Sequence, residues 1–296
     1  MSISLAHNYT DLLDEVFSKA SVTSDLTGDI ALTRAGSNAN QIYYPEIETK
    51  GLGDYSRTTG YPDGGVNVAW KYAEFNYDRG IKVMIDAMDD QETFNIAAGR
   101  AGAELQRTKV APEADAFTFA TLAGLTGVTA PAAADLANAA AFMAALRAAV
   151  DTMDNDEVPA EERYLYATPT LINSLEDLDL TKSRRILDGF AKIVKVPKTR
   201  FISAIDLQSG RADDSYAGHY VPASGAKWLN FVIVYKPAVI KYDKHVVSNL
   251  ISPEDNQTAD AFLLKYRKYG IVDAYYNQRV GIYVHTSNTS ASFPSA

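Results

Sequence analysis

Residues 49–65 read TKGLGDYSRTTGYPDGG, with five glycines, one proline and a single aliphatic residue, Leu52. A stretch of this length without regular structure is uncommon inside a compact domain, where connections are short and longer ones serve a function or stay disordered. Strand-like segments flank it. Before it stands QIYYPEIE (41–48), short and holding Pro45, which marks an edge strand. After it stands VNVAWKYAEFNYDRGIKVMI (66–85). Val66, Val68, Trp70 and Tyr72 alternate on one face, then Phe75, Tyr77, Ile81, Val83 and Ile85 take the other parity, so the spacing predicts a bulge or sharp twist near residues 73–74. Fully extended at about 3.3 Å per residue, this run would reach about 65 Å. A compact chain of this length is only about 50 Å across. The pattern therefore predicts a hairpin whose glycine-rich tip projects from the body.

A second elongated element follows. Asp89, Asp90 and Glu92 carry the start signal of a helix. Phe94, Ala98, Ala101, Leu105, Ala116 and Phe119 fall on one stripe, with Pro112 predicting a kink or short break. Continuous to Leu122, this helix would span on the order of 50 Å. Beyond a small-residue hinge at 124–131 the patterning becomes that of an α+β region. A helix is expected over 135–153 with Leu136, Met143, Leu146, Val150 and Met153 on one face, then a strand at RYLYAT, a helix opened by Thr168 and Pro169, and strands at KIVKVP and TRFISAI. Residues 206–227 read as an exposed loop. NFVIVYKPAVI (230–240) is the strongest strand signal and reads as one central strand. Asn277 and Gln278 are expected to turn the last two strands, 271–275 and 280–285. Residues 1–38 are polar apart from Leu12, Leu13, Val16 and Phe17 at helical spacing, and read as an arm rather than a core element.

Composition excludes several functions. A net charge of −9, with 28 Lys and Arg against 37 Asp and Glu, opposes sequence-independent nucleic-acid binding, which rests on cations displacing counterions from phosphates. No cysteine is present, so disulfides, thiolate metal sites and thiol nucleophiles are ruled out by residue type. His7, His219, His245 and His285 are too far apart in sequence for a local ligand pair. The acidic run DTMDNDEVPAEE (151–162) lacks the glycine and alternate spacing of a calcium loop and reads as a solvated helix end. Glycines 51 and 53 begin like a dinucleotide fingerprint, but position 56 is Ser and no helix follows. No P-loop or nucleophile-elbow string occurs. No catalytic residue, cofactor or metal is expected. The first residues lack the basic and apolar regions of a signal peptide, and no apolar run is long enough to suggest a membrane span.

The order of elements, an arm, a glycine-tipped hairpin, a long helix and an α+β domain closed by a returning strand, resembles the major capsid proteins of tailed bacteriophages with the HK97-type fold. The hairpin around residues 49–65 looks like the family's E-loop, and DDQETFNIAAGRAGAELQRTKVAPEADAFTFATLA (89–123) looks like its spine helix. WLNFVIVYKPAVIKYDK resembles the central sheet of the A-domain, and YRKYGIVDAYYNQRVGIYVHT is similar to the ending of such proteins from phages of Gram-positive hosts. The resemblance implies an α+β fold with an arm at 1–38, the E-loop and flanking strands at 39–85, the spine helix and part of the P-domain at 86–130, an A-domain at 131–260, and closing strands and tail at 261–296.

It also implies a structural role: a head-shell protein forming pentamers and hexamers around double-stranded DNA, assembled in the host cytoplasm and found in the virion, with no enzymatic activity and no membrane. Some members carry a scaffolding segment before the arm; here the arm starts near Met1, so the resemblance implies a separate scaffolding protein, with a portal and a maturation protease as further partners. In this family the E-loop lies over a neighbouring subunit. Lys50, Tyr55, Arg57 and Tyr61 are the candidate intersubunit contacts, the tyrosines and arginine being of the types enriched at interface anchors. Some members join an E-loop lysine to a neighbour's asparagine, and Lys50 with Asn277 would be that pair here; the competing reading is reversible charge contact by Lys50. Two alternatives stand beside the head shell. One is an encapsulin-like cargo compartment, and the other is a cytosolic hydrolase or binding protein with a flap over its pocket.

Overall fold

The structure, a computed structural model, describes residues 20–28, 34–35, 40–61, 64–92, 96–178, 181–210 and 219–293. The apolar residues at 12–17 lie outside them. Strands β1 (Arg34–Ala35), β2 (Gln41–Thr49), β3 (Val66–Glu74) and β4 (Tyr77–Asp86) come first. Helices α1 (Ala87–Glu92) and α2 (Ile96–Leu105), a π-helical segment (Gln106–Val110) and α3 (Ala111–Gly124) follow. Next come α4 (Ala139–Asn155), β5 (Arg163–Ala167), α5 (Pro169–Asp177), α6 (Thr181–Leu187), β6 (Lys192–Lys195), β7 (Ile205–Leu207) and β8 (Tyr220–Pro222). The chain then closes with β9 (Lys227–Tyr235), β10 (Val239–Ile251), β11 (Ala261–Ala274) and β12 (Ile282–Ser290).

The central sheet has the order β12-β9-β5-β6, antiparallel except for the parallel pair of β5 with β6. β9 is apolar at both parities because both of its faces are covered. Val232 and Val234 pack with Phe119 and Leu122 of α3, while Phe231 and Ile233 pack with Phe142 and Leu146 of α4. NFVIVYKPAVI is thus two strands rather than one. Pro237 sits in a 3₁₀ turn, Lys236–Ala238, and after it β10 enters a second sheet of order β10-β11-β4. A proline has no amide to give a ladder, which makes it a natural point for the chain to change sheets.

The run from Val66 to Ile85 divides as well, two residues beyond the expected irregularity. β3 pairs with β2, whereas β4 pairs with β11. Asn76 makes the change of partner: its side-chain amide donates to the Val272 carbonyl at 2.8 Å and accepts from the Val272 amide at 3.1 Å, as a ladder residue would. Only the β2–β3 ribbon projects, so the 65 Å ribbon of the sequence reading is shortened to about 30 Å of paired strand.

The long helix runs without a gap over 96–124, on the order of 45 Å. Pro112 occupies its first α-helical turn after the π segment, and the Ala111 amide reaches back to the Gln106 carbonyl. Widening the turn accommodates a residue that lacks an amide and whose ring would meet the carbonyl four residues back. α4 begins at Ala139 rather than 135, because Asn138 caps it by accepting from the Ala141 amide at 2.8 Å. Asp135 is used elsewhere, accepting from Ser287 and from the Asn288 amide of β12. The buried face of α4 is Phe142, Leu146, Ala149 and Met153; Leu146 and Met153 of the expected stripe lie on it, while Leu136, Met143 and Val150 are only partly buried against it.

Two further expectations are corrected. The last two strands do not form a hairpin: β11 pairs with β10 and β4, β12 pairs with β9, and the segment Tyr276–Gly281 is a 3₁₀ connection between sheets. Residues 21–26, polar enough to read as arm, are built into the body. Leu26 lies in the main core, and the polar groups around it find buried partners. Within the expected loop at 206–227, β7 and β8 form a short antiparallel pair.

Candidate intersubunit surface

Strict alternation along β2 and β3 sorts the projecting ribbon into two faces. In register, Tyr43 stands opposite Tyr72, Pro45 opposite Trp70, Ile47 opposite Val68 and Thr49 opposite Val66. This face is apolar and open. Ile47 is 61% exposed, Val66 68%, Val68 50%, Trp70 53% and Tyr72 56%. The other face carries Glu46, Glu48, Asn67 and Lys71, with Lys71 3.6 Å from Glu46. A two-sided ribbon of this kind is wet on its polar side, while its apolar side needs cover, since contiguous apolar patches on a protein surface mark interaction sites.

The ribbon is held rigidly at its root. Ile42, Tyr44, Ala73 and Phe75 form a small core with Ile240 and Ile271 of the β10–β11 pair. Tyr44 meets Tyr275 edge-on at 5.0 Å between ring centres, and burial pushes its hydroxyl pKa up. Phe75 stacks on Tyr269 at 4.9 Å.

The tip is ordered rather than structureless. Ser56 and Gly60 exchange backbone hydrogen bonds of 3.1 and 2.8 Å, and Ser56 Oγ accepts from the amides of Thr58 and Thr59. Gly60 has φ of +82°, a conformation side chains oppose. Arg57 is exposed within this turn, and Tyr55 and Tyr61 flank it with ring centres 4.9 Å apart. Lys50 stands at the ribbon end, its amide donating to the Gly65 carbonyl at 3.3 Å and its stem lying over Gly65. The structure thus gathers Tyr55, Arg57 and Tyr61 at the tip and leaves Lys50 at the neck. Asn277 lies in the 3₁₀ connection between β11 and β12. The larger feature missed in the sequence is the exposed stripe from Tyr43 to Tyr72. Its alternation was visible; its lack of cover was not, because a strand pattern does not say what packs on it.

A cleft of about 950 Å³ lies between β4, the π-helical segment and the β7–β8 pair. Arg79 and Glu113 at its edge are engaged with each other. Arg79 Nε is 2.6 Å from Glu113, Arg79 Nη1 donates to the Gln208 carbonyl at 2.8 Å, and Tyr77 donates to Glu113 at 3.3 Å. Burial first, then the Glu113 charge, hold the Tyr77 hydroxyl well above its ordinary range. In the acidic run, Asp154 pairs with the buried Arg163 at 2.7 Å, which anchors the helix end to β5. His285 is buried against Phe231, and burial lowers its pKa. Among the described residues there is no group of three His, Cys, Asp or Glu placed to hold a metal, and no helix long and apolar enough to cross a membrane.

No family model and no curated protein sequence matches the chain. Solved structures do. One from Mycobacterium phage Che8 matches at TM-score 0.59 and 14% identity, over 90% of each chain. The capsid structure of cyanophage P-SCSP1u matches at 0.58 and 14%, over 92% of this chain and 89% of that one. A virus-like particle from Pyrococcus furiosus matches at 0.56 and 10%, over 94% and 99%. At these identities the likeness establishes the fold: this is a mixed α and β chain with the fold of phage capsid proteins, shared along almost its whole length.

Proposed function

We infer that the chain is a major capsid protein, the shell-forming subunit of a phage head. The single observation that carries this reading is the open apolar face of the β2–β3 ribbon, five large side chains each at least half exposed on a rigid projection from a capsid-type fold. Such a face is completed by another copy of the chain, and repetition of one heterologous contact closes into rings and shells. On this reading the fold is of the HK97 type, residues 39–85 supply the E-loop, 86–130 the spine helix, 131–260 the A-domain and 261–296 the closing strands. Residues 1–38 are the arm, anchored at 21–26. Pentamers and hexamers form an icosahedral head around DNA, with a separate scaffolding protein, a portal and a maturation protease as partners in a bacterial cytoplasm. The ending of the chain supports a phage of a Gram-positive host. The role is geometric, without catalysis or cofactor, and Lys50, Tyr55, Arg57 and Tyr61 touch the neighbouring subunit.

Deleting residues 49–65 tests this directly. The deletion is expected to leave folded protein, because none of the described residues among them belongs to the four core clusters, and to abolish closed shells. Normal shells from the deleted chain would refute the reading. A cargo-holding compartment is the second reading, since the fold is shared with a virus-like particle from Pyrococcus furiosus as well as with phage capsids. The contents of purified shells separate the two: nuclease-protected DNA for a head, a co-purifying enzyme for a compartment.

A further inference from the structure

Residues 20–28 lie across the meeting point of three elements, and what holds them is chiefly polar. The Asp115 carboxylate of α3, fully buried, accepts from Ser21 Oγ at 2.7 Å, Val22 N at 3.1 Å, Thr23 N at 3.1 Å and Thr23 Oγ1 at 2.6 Å. Arg200, in the 3₁₀ turn that follows β6, donates to the same carboxylate at 3.0 Å and to the Ala20 carbonyl at 2.9 Å. Lys241 of β10, only 5% exposed, donates to the Thr23 carbonyl at 2.9 Å and to its hydroxyl at 2.6 Å. The Lys241 carbonyl in turn accepts from the Gly28 amide at 3.2 Å. Leu26 adds one fully buried apolar side chain.

These contacts depend on one another. Thr23 Oγ1 accepts from Lys241 while donating to Asp115, so its displacement breaks both contacts at once. A buried charge that loses one partner is strongly destabilised, and a half-satisfied buried network is worse than either a complete one or one opened to water. Partial withdrawal of the segment therefore has no stable stopping point. Seated, the hydroxyls of Ser21 and Thr23 and the amides of Val22, Thr23 and Gly28 meet partners from the body; withdrawn, the cradle's charges meet water instead.

We propose that Asp115, Arg200 and Lys241 form an intrachain peptide-binding cradle and that residues 20–28 are an all-or-none clasp seated in it. The clasp ties α3, β10 and the turn after β6 together, and it opens as one event rather than by fraying from its end. In a shell subunit this makes departure of the segment a switch between two defined states. The clasp rests on the contacts above and stands whether or not the chain builds shells.

Hydrogen exchange of the full chain, resolved by fragmentation mass spectrometry, tests it through the amides of Val22, Thr23, Leu26, Thr27 and Gly28. The wild type is expected to show one common opening rate for all five. Asp115→Asn is expected to raise that rate by about a hundredfold, the scale of breaking a buried charge network, with β5 and β9 amides unchanged. The double variant S21A/T23V removes the Ser21 and Thr23 hydroxyls, the hydroxyl donors to Asp115 and one acceptor of Lys241, while leaving the cradle's own side chains unchanged, and is expected to raise all five rates together. It decides the matter where Asp115→Asn unfolds the chain. Graded exchange, with Val22 and Thr23 released while Gly28 stays protected, or rates indifferent to S21A/T23V, would overturn the clasp.

Discussion

Lys241 shows how costly single residues are arranged in this chain. Burial pushes its ammonium down to about 8 from an ordinary 10.5, with Asp115 opposing the shift, Lys268 adding to it, and Asp243 and Asp25 opposing it. Below pH 8 both the folded and unfolded chains carry the proton, and the full cost of burying it, about 3 kcal/mol, is present. Between pH 8 and 10.5 the unfolded chain binds more protons, so stability contributed by this residue rises with pH. Denaturant midpoints of unassembled subunits at pH 7.5 and 10 should therefore differ between wild type and Lys241→Met, with the wild type gaining more on going to alkaline pH. Parallel pH profiles would contradict the buried ammonium. Nearby, a Cβ on Gly270 would stand 2.7 Å from Asp243 Oδ1 and 2.8 Å from the Tyr242 carbonyl, at the bulge between Asp243 and His245. Gly270→Ala is expected to cost about 1–3 kcal/mol in denaturant unfolding, the usual penalty of overpacking.

Among the elements, the β2–β3 ribbon is the one whose residues are chosen against solubility of the isolated chain. Replacing Val68 and Trp70 together by Glu should leave thermal unfolding within about 1 kcal/mol of wild type, since exposed positions contribute little to folding. The same change should abolish assembly. A double variant that assembles normally would move the interface elsewhere. The ribbon, the long helix and their order were legible in the sequence because each rests on local signals: Pro45 and the glycines at the edges of a strand pair, the stripe from Ala98 to Phe119, and Pro112 as the point of disturbance. The switches between sheets were not. At Asn76 and Pro237 the patterning stays strand-like on both sides, and only the tertiary partner changes. The helix expected from residue 135 starts only after the Asn138 cap, because Asp135 is bound to β12, a contact some 150 residues away in sequence. Residues 21–26 misled in the opposite sense, being polar in composition yet packed into the body with Ser21, Thr23 and Leu26 buried, since their partners Asp115, Arg200 and Lys241 come from distant positions.

At the scale of the whole molecule, the compact cores and the uncovered ribbon divide the labour. Four apolar clusters hold the subunit together without any covalent link, there being no cysteine in the chain. On the proposed reading, shell cohesion then falls to contacts between copies. With Lys50 making reversible contacts, assembled material boiled in detergent should run as a single 32.2 kDa band, and a ladder of multiples would point instead to a Lys50–Asn277 bond. The tip residues Tyr55, Arg57 and Tyr61 stand out in the sequence by their type, and the structure adds their common turn; on the proposed reading their partner is a second copy of the chain. Negative-stain electron microscopy with light scattering, on the chain expressed alone and then with a candidate scaffolding protein, measures the central claim most directly. Uniform shells, or rings of five and six that close when scaffold is added, are the predicted result. A monodisperse monomer or dimer under both conditions would contradict the account and make the ribbon a flap over the subunit's own cleft.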